Sequence, residues 1–278
     1  GYRPAYYDIS NGQAQFRPGL ETHLERCGVR AFFADSSAVQ GGAVSQADLR
    51  VGPYSSGRIS GGPVTQRNIQ YKSTAWPYLV SDSQVAVFGR DDVTGRQVWS
   101  ASEGYPGHFN YREFHKKDSI SGMRFWRISG PRVDLANKSY YNPEWAFNDV
   151  GSHAGHFVGI LERHIAGNVF GAMVPPVIVA PYDTELFGHW WFEGIEWIKQ
   201  VLRKLSSHPD IELTTPAAYL ERYPPTEKIA LPESSWGAGS DARTWYNDQT
   251  KWMWPIIYQY ERQMEQIVAE HPNPNGNA

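Results

Sequence analysis

The chain has 278 residues, 41% of them hydrophobic, with a formal net charge of −3. It has no apolar run near the roughly 18 residues of a membrane span and no basic excess to attract nucleic acid, so neither a membrane nor a nucleic-acid partner is expected. One cysteine, Cys27, excludes an internal disulfide and suits a reducing, cytoplasmic compartment.

The first residues, GYRPAYYD from Gly1, carry neither a basic segment nor an apolar one, so no secretory signal is visible there. FRPGLETHLERCG (16–28) predicts an amphipathic helix with Leu20, Leu24 and Cys27 on one face and Gly28 as its stop. VRAFFAD (29–35) reads as a short buried strand ending in Asp35. Residues 36–75, rich in Gly, Ser and Gln without period, are too long for an ordinary connection and read either as a working loop or as a disordered insertion. SQVAVFGR (83–90) is a strand, and VWSASEGYPGHFNYREFHKK (98–117) a polar aromatic segment.

EWAFNDVGSHAGHFVGILERHIAGN (144–168) predicts a helix whose apolar face holds Val150, His153, Ala154, Phe157, Ile160 and Leu161. PPVIVAPYD (175–183) reads as a wholly apolar strand, ELFGHWWFEGIEWIKQVLRKL (185–205) as the helix after it, and IELTT (211–215) as another strand. Thr215 is placed to cap a helix starting at Pro216. Alternating strands and helices, with continuously apolar strands, predict an α/β fold built on a parallel sheet covered by helices.

In such folds reacting groups gather at the C-terminal ends of strands, where the connecting loops form a pocket. Asp183 and Asp35 both fall at such ends. Asp183 also directly precedes a predicted helix, where aspartate is a favoured cap, and local pattern leaves cap and catalyst equally open. His153, His156 and His164 share one helix, but without a glutamate beside the first histidine they do not form the zinc motif, and hydrogen-bonded helical histidines are the better reading. The 11 tryptophans and 16 tyrosines fit two explanations: flat rings stacking on sugar faces, or large core residues.

The string APYDTELFGHWWFEG (180–194) resembles a signature of glycoside hydrolase family 57 in its branching-enzyme form. Further blocks match in order: GYRP (1–4), RAFFAD (30–35), QVWSASEGYPGHFNYREFHKK (97–117), RFWRISG (124–130), VDLANKSYYNPEWA (133–146) and ESSWGAGSDARTWYNDQTKWMW (233–254). This resemblance implies part of a (β/α)7 barrel in residues 1–230, with a long active-site loop at about 36–75, and the start of an α-helical C-terminal domain in 231–278. It implies no cofactor, no metal and a retaining reaction on α-glucan, with two carboxylates roughly 5–5.5 Å apart.

By the same resemblance Asp183 is the general acid/base, a role helped if the end of an apolar strand desolvates it. Glu185 packs or hydrogen-bonds behind it. The nucleophile is a glutamate in a W-(L/M)-P-E-C motif upstream of the GYRP block. It is therefore expected before Gly1, and the chain is expected to lack it and to be inactive alone. Trp99, Trp236 and Trp245 match tryptophans that grip glucan and are expected around one cleft with Asp183, whereas core packing is preferred for Trp252 and Trp254. Tyr54 falls on the long loop, and Arg90, Tyr105 and His108 lie around the donor side. A branching transferase leads; a family α-amylase or 4-α-glucanotransferase, and a non-catalytic glucan-binding piece, are the alternatives.

Overall fold

The computed structural model describes residues 15–41, 72–100, 103–169 and 172–271. Gly1 with the rest of the GYRP block, Tyr54 and most of the 36–75 loop lie outside these residues. In chain order the elements are β1 (Gln15–Phe16), α1 (Leu20–Arg26), β2 (Ala31–Ala34), α2 (Ser36–Gln40), β3 (Tyr78–Val80), β4 (Ala86–Gly89), α3 (Asp92–Trp99), α4 (Pro143–Val169), α5 (Gly194–Ser206), α6 (Pro216–Arg222), β5 (Lys228–Ile229), β6 (Ser234–Ser235) and α7 (Met253–Glu270).

The sheet is mixed, where the sequence predicted a parallel one. Its order is β2-β4-β3-β5, with β2 parallel to β4, β3 antiparallel to β4, and β5 parallel to β3. The short strands β3 and β5 give no clear sequence signal, since three or two residues cannot display a period. Alternation along the strands builds a core on each face: Phe32, Ala34 and Val87 join Val39, Val80 and Ile229 on one side, while Phe33, Ala86 and Phe88 meet Tyr219 and Leu220 on the other.

PPVIVAPYD joins no ladder among the described residues. Pro175, Pro176 and Pro181 have no N–H to donate, and the segment is tied to the sheet region through the Val177 N–H to Ala75 O bond and the Asp91 N–H to Val179 O bond, both 2.8 Å. IELTT likewise joins no ladder among the described residues, and Leu213 is 48% exposed. Beside these segments lies an apolar cavity of about 690 Å³, lined by Phe88, Phe157, Leu161, Val177, Tyr182 and Leu213 among others.

The long helix α4 forms as predicted and buries Val150, Ala154, Phe157, Ile160 and Leu161. Against it packs α5, which buries Trp197, Val201 and Leu205 at four-residue spacing; Phe157 and Trp197 meet edge to face at 5.0 Å. Each large side chain buried there contributes on the order of 1.5–3 kcal/mol. α5 begins at Gly194, nine residues later than the sequence predicted. The interval holds a three-residue turn, Thr184–Leu186, and a reversal at Gly188, whose φ of 85° no helix accommodates. α6 starts as expected, with Thr215 Oγ1 accepting the Ala218 N–H at 3.2 Å.

Candidate active site

The register Ala34↔Gly89 places Asp35 beside Arg90, and the Asp91 N–H to Val179 O bond brings the segment ending in Asp183 to the same end of β4. Three stretches distant in sequence therefore meet at one rim.

The two aspartates at this rim are used differently. Asp35 is 7% exposed, and its Oδ1 accepts the Ser37 N–H at 3.0 Å and the Ser37 hydroxyl at 2.7 Å, capping α2. Its other oxygen accepts from Arg90 Nη2. Asp183 has extended backbone angles (φ −64°, ψ 131°), and its carbonyl accepts the Leu186 N–H at 3.1 Å, but its side chain makes no capping bond. The capping alternative is thus realised at Asp35 and not at Asp183. Asp183 is half-buried, at the end of a half-buried segment rather than of the wholly apolar strand the sequence predicted. The carboxylate expected to work with it is a glutamate ahead of the GYRP block, and that block lies outside the described residues.

Tyr182 donates its hydroxyl to Thr94 O at 2.9 Å, and burial pushes its phenol well above the ordinary range. Its ring lies 6.5 Å from that of Trp99, which closes α3 and is 43% exposed. Trp99 is therefore brought next to the neighbour of Asp183. The Arg90 guanidinium stacks over Trp236 at 4.8 Å, and its charge reaches Tyr182. Trp245 packs against Gly237, where a Cβ would come within 2.5 Å of the indole, so Trp236 and Trp245 lie close together at a turn with room only for glycine. Both are half-buried. Asp35, Arg90, Trp236 and Trp245 form one group, Trp99, Tyr182 and Asp183 another, and Arg90 is the charge between them.

Tyr105 and His108 are placed differently. Tyr105 is 4% exposed, donates to or accepts from His156 Nδ1 at 2.8 Å, stacks on His153 at 4.6 Å and packs near Trp191 and Trp197. It is a core residue, not an open sugar contact. His108 is half-buried, its ring 4.8 Å from that of His153 and its Nδ1 3.4 Å from Asp149 Oδ2. Burial lowers its pKa, with Asp149 opposing. All three histidines of α4 have polar partners: His153 with Tyr111 at 2.6 Å, His156 with Tyr105, and His164 paired with Asp91 at 2.9 Å. Trp254 Nε1 donates to Trp245 O at 3.0 Å, but Trp252 is 62% exposed and does not take the core position preferred for it.

Glu193 escaped the sequence reading. It is 1% exposed, and its Oε1 accepts the Arg112 N–H at 3.1 Å, tying the segment after His108 to the start of α5. Burial raises its pKa. A lone glutamate in an aromatic run gives no periodic signal that would have distinguished it. Among the described residues no three of His, Cys, Asp and Glu stand as a metal site. The 690 Å³ cavity is lined by none of the predicted site residues; its walls join core residues such as Phe88 and Phe157 to exposed ones such as Leu202 and Leu213.

No family model matches the chain. It is 43% identical over 270 residues to the 1,4-alpha-glucan branching enzyme of Thermococcus kodakarensis, covering 96% of this chain and 38% of that protein. The crystal structure of that enzyme, a family 57 branching enzyme in complex with glucose, superposes with a TM-score of 0.74 at 44% identity, over 91% of this chain and 43% of that one. The family 57-type branching enzyme of Pyrococcus horikoshii gives 0.73 at 36% identity, over 93% and 43%. The alpha-amylase AmyC of Thermotoga maritima gives 0.67 at 26% identity, over 94% and 47%. The chain thus spans less than half the length of each of these proteins. Over that shared stretch it belongs to glycoside hydrolase family 57.

Proposed function

We propose that the chain contributes the general acid/base part of a 1,4-α-glucan branching enzyme. The observation that carries this is the 43% identity to a branching enzyme, sustained over 96% of the chain. The likeness to an amylase is weaker, at 26% identity, and hydrolysis is the second reading. Residues 1–230 form part of a (β/α)7 barrel and 231–278 open a helical domain; the setting is cytoplasmic glycogen biosynthesis. Among the described residues no helix is long and apolar enough to cross a membrane.

In this reading Asp183 gives its proton to the glycosidic oxygen as the α-1,4 bond breaks and a carboxylate nucleophile takes the anomeric carbon. Asp183, now ionised, then takes the proton of an incoming 6-hydroxyl, whose oxygen displaces the nucleophile and forms the α-1,6 link. The family assigns the nucleophile to a W-(L/M)-P-E-C pattern ahead of the block that starts at Gly1, and that pattern is not found in this sequence. Trp99, Trp236 and Trp245 grip the glucan, with Arg90 and His108 around the donor and Tyr54 contributing from the long loop; Tyr105 supports them from the core.

The test is amylose incubated with the chain, alone and joined ahead of Gly1 to the upstream segment of the Thermococcus relative. The joined protein is expected to form 1,6 links with few new reducing ends and to shift the iodine spectrum, and the chain alone to do neither. Abundant reducing ends would favour the hydrolase reading instead.

A further inference from the structure

Trp190 and Trp191 are consecutive but take opposite environments. Trp191 is 1% exposed and packs among Tyr105, Tyr111 and Trp197, whereas Trp190 is 46% exposed. The cause is a tight reversal: the Trp191 N–H donates to Leu186 O and the Gly188 N–H to Trp191 O, both at 2.8 Å, which leaves His189 and Trp190 at the tip. This reversal directly follows the short turn Thr184–Leu186, which Asp183 opens.

An exposed tryptophan is ordinarily loose, but this one is held. Its Nε1–H donates to Glu185 Oε1 at 3.3 Å. The Phe114 ring backs it at 4.2 Å with an interplanar angle of 33°, and the Arg124 guanidinium lies 4.5 Å from the same Phe114 ring. Phe114 in turn sits two residues after Arg112, whose N–H is fixed by buried Glu193. The indole is therefore oriented by a hydrogen bond at its edge and by a packed ring, while nearly half its surface is open to solvent. Fixed, partly exposed aromatic surface of this kind suits the apolar C–H face of a sugar, because little ordering remains to be done on binding.

We propose that Trp190 is a glucan-stacking residue on the reversal that follows the turn of the general acid/base, and that Glu185, on that turn, is the positioning residue that holds its indole. The inference rests on the reading of the chain as part of an α-glucan enzyme. It also explains the acid pair of Y-D-T-E: Asp183 acts on the bond, and Glu185 orients a ring that grips the chain.

The experiment titrates the 278-residue chain with maltoheptaose, followed by calorimetry and by tryptophan emission. Trp190→Ala is expected to weaken binding roughly 3- to 10-fold and Trp190→Phe by less. Glu185→Ala should weaken binding, and Glu185→Gln, whose amide oxygen still accepts from the indole, should restore it; thermal midpoints should stay unchanged throughout. The emission change on adding maltoheptaose should shrink in Trp190→Phe, a readout that serves even if Trp190→Ala does not fold. Wild-type binding with unchanged affinity in Trp190→Ala, or an undiminished emission change in Trp190→Phe, overturns this inference alone. Equal affinity in Glu185→Ala overturns the positioning role. A wild-type chain that binds no maltoheptaose overturns the α-glucan reading and the inference with it.

Discussion

Asp35 and Asp183 stand at comparable places in the chain, and their surroundings separate them. Asp35 spends its oxygens on Ser37 and Arg90, so Asp35→Ala should cost about 1–2 kcal/mol of stability through the lost cap and the stranded guanidinium, read as a lowered thermal midpoint. The side chain of Asp183 caps nothing. Asp183→Asn in the protein joined to its upstream segment is therefore expected to keep its thermal midpoint and lose branching by several orders of magnitude. Near-normal iodine-spectrum kinetics in that variant would remove Asp183 from the acid/base role. Both aspartates could be found from the sequence as the acids that end apolar runs, although only Asp35 follows a strand of the sheet; which one caps was not legible, because the choice depends on a serine hydroxyl and an arginine brought in from another strand.

At the scale of elements, α4 and its histidines fasten the 105–111 segment to the core through the Tyr105–His156 and Tyr111–His153 hydrogen bonds. Burial, reinforced by His108 and His156 against the opposing Asp149, lowers His153 to about 4. An unfolded histidine titrates near 6.5, so between roughly 6.5 and 4 the unfolded chain takes up a proton that the folded chain refuses. Stability should fall as pH falls through that window, by on the order of 2 kcal/mol after discounting for partial exposure, and His153→Gln should flatten the dependence of thermal midpoint on pH. Between the two packed helices, Phe157→Ala removes a 3%-exposed ring that meets Trp197, and a loss of about 3–5 kcal/mol is expected in denaturant unfolding. The amphipathic spacing of α4 was plain in the sequence. The late start of α5 was not, since FGHWWFEG keeps a helical apolar pattern and only the reversal at Gly188 interrupts it.

For the whole molecule, the consequential feature is backbone without a ladder. Among the described residues β2 is an edge strand, and 175–183 and 211–215 do not join the sheet. Such edges invite pairing with other chains. The 278-residue chain is therefore expected to associate as concentration rises in sedimentation, and the version joined to its upstream segment to do so less. A strictly monomeric chain across that range would count against this view of the edges.

Local pattern alone determined the helix α4, the strands β2 and β4 with Asp35 at the end of β2, and the cap at Thr215, because each depends on spacing or residue type within a few positions; the helix expected over 16–28 shortens to Leu20–Arg26, with Phe16 in β1 and Cys27 exposed. The family likeness rested on ordered blocks of residues that composition and periodicity could not have supplied. Only the tertiary structure decided that the sheet is mixed, that PPVIVAPYD stays outside it, that Tyr105 belongs to the core, and that Trp190 faces solvent while Trp191 does not. Those outcomes depend on contacts between segments tens of residues apart: a carbonyl offered by Ala75 to Val177, a histidine on α4 meeting Tyr105, and Phe114 arriving beside Trp190. A linear sequence carries the residues for such meetings but not the distances, and the packing of distant surfaces, not local preference, chooses among them.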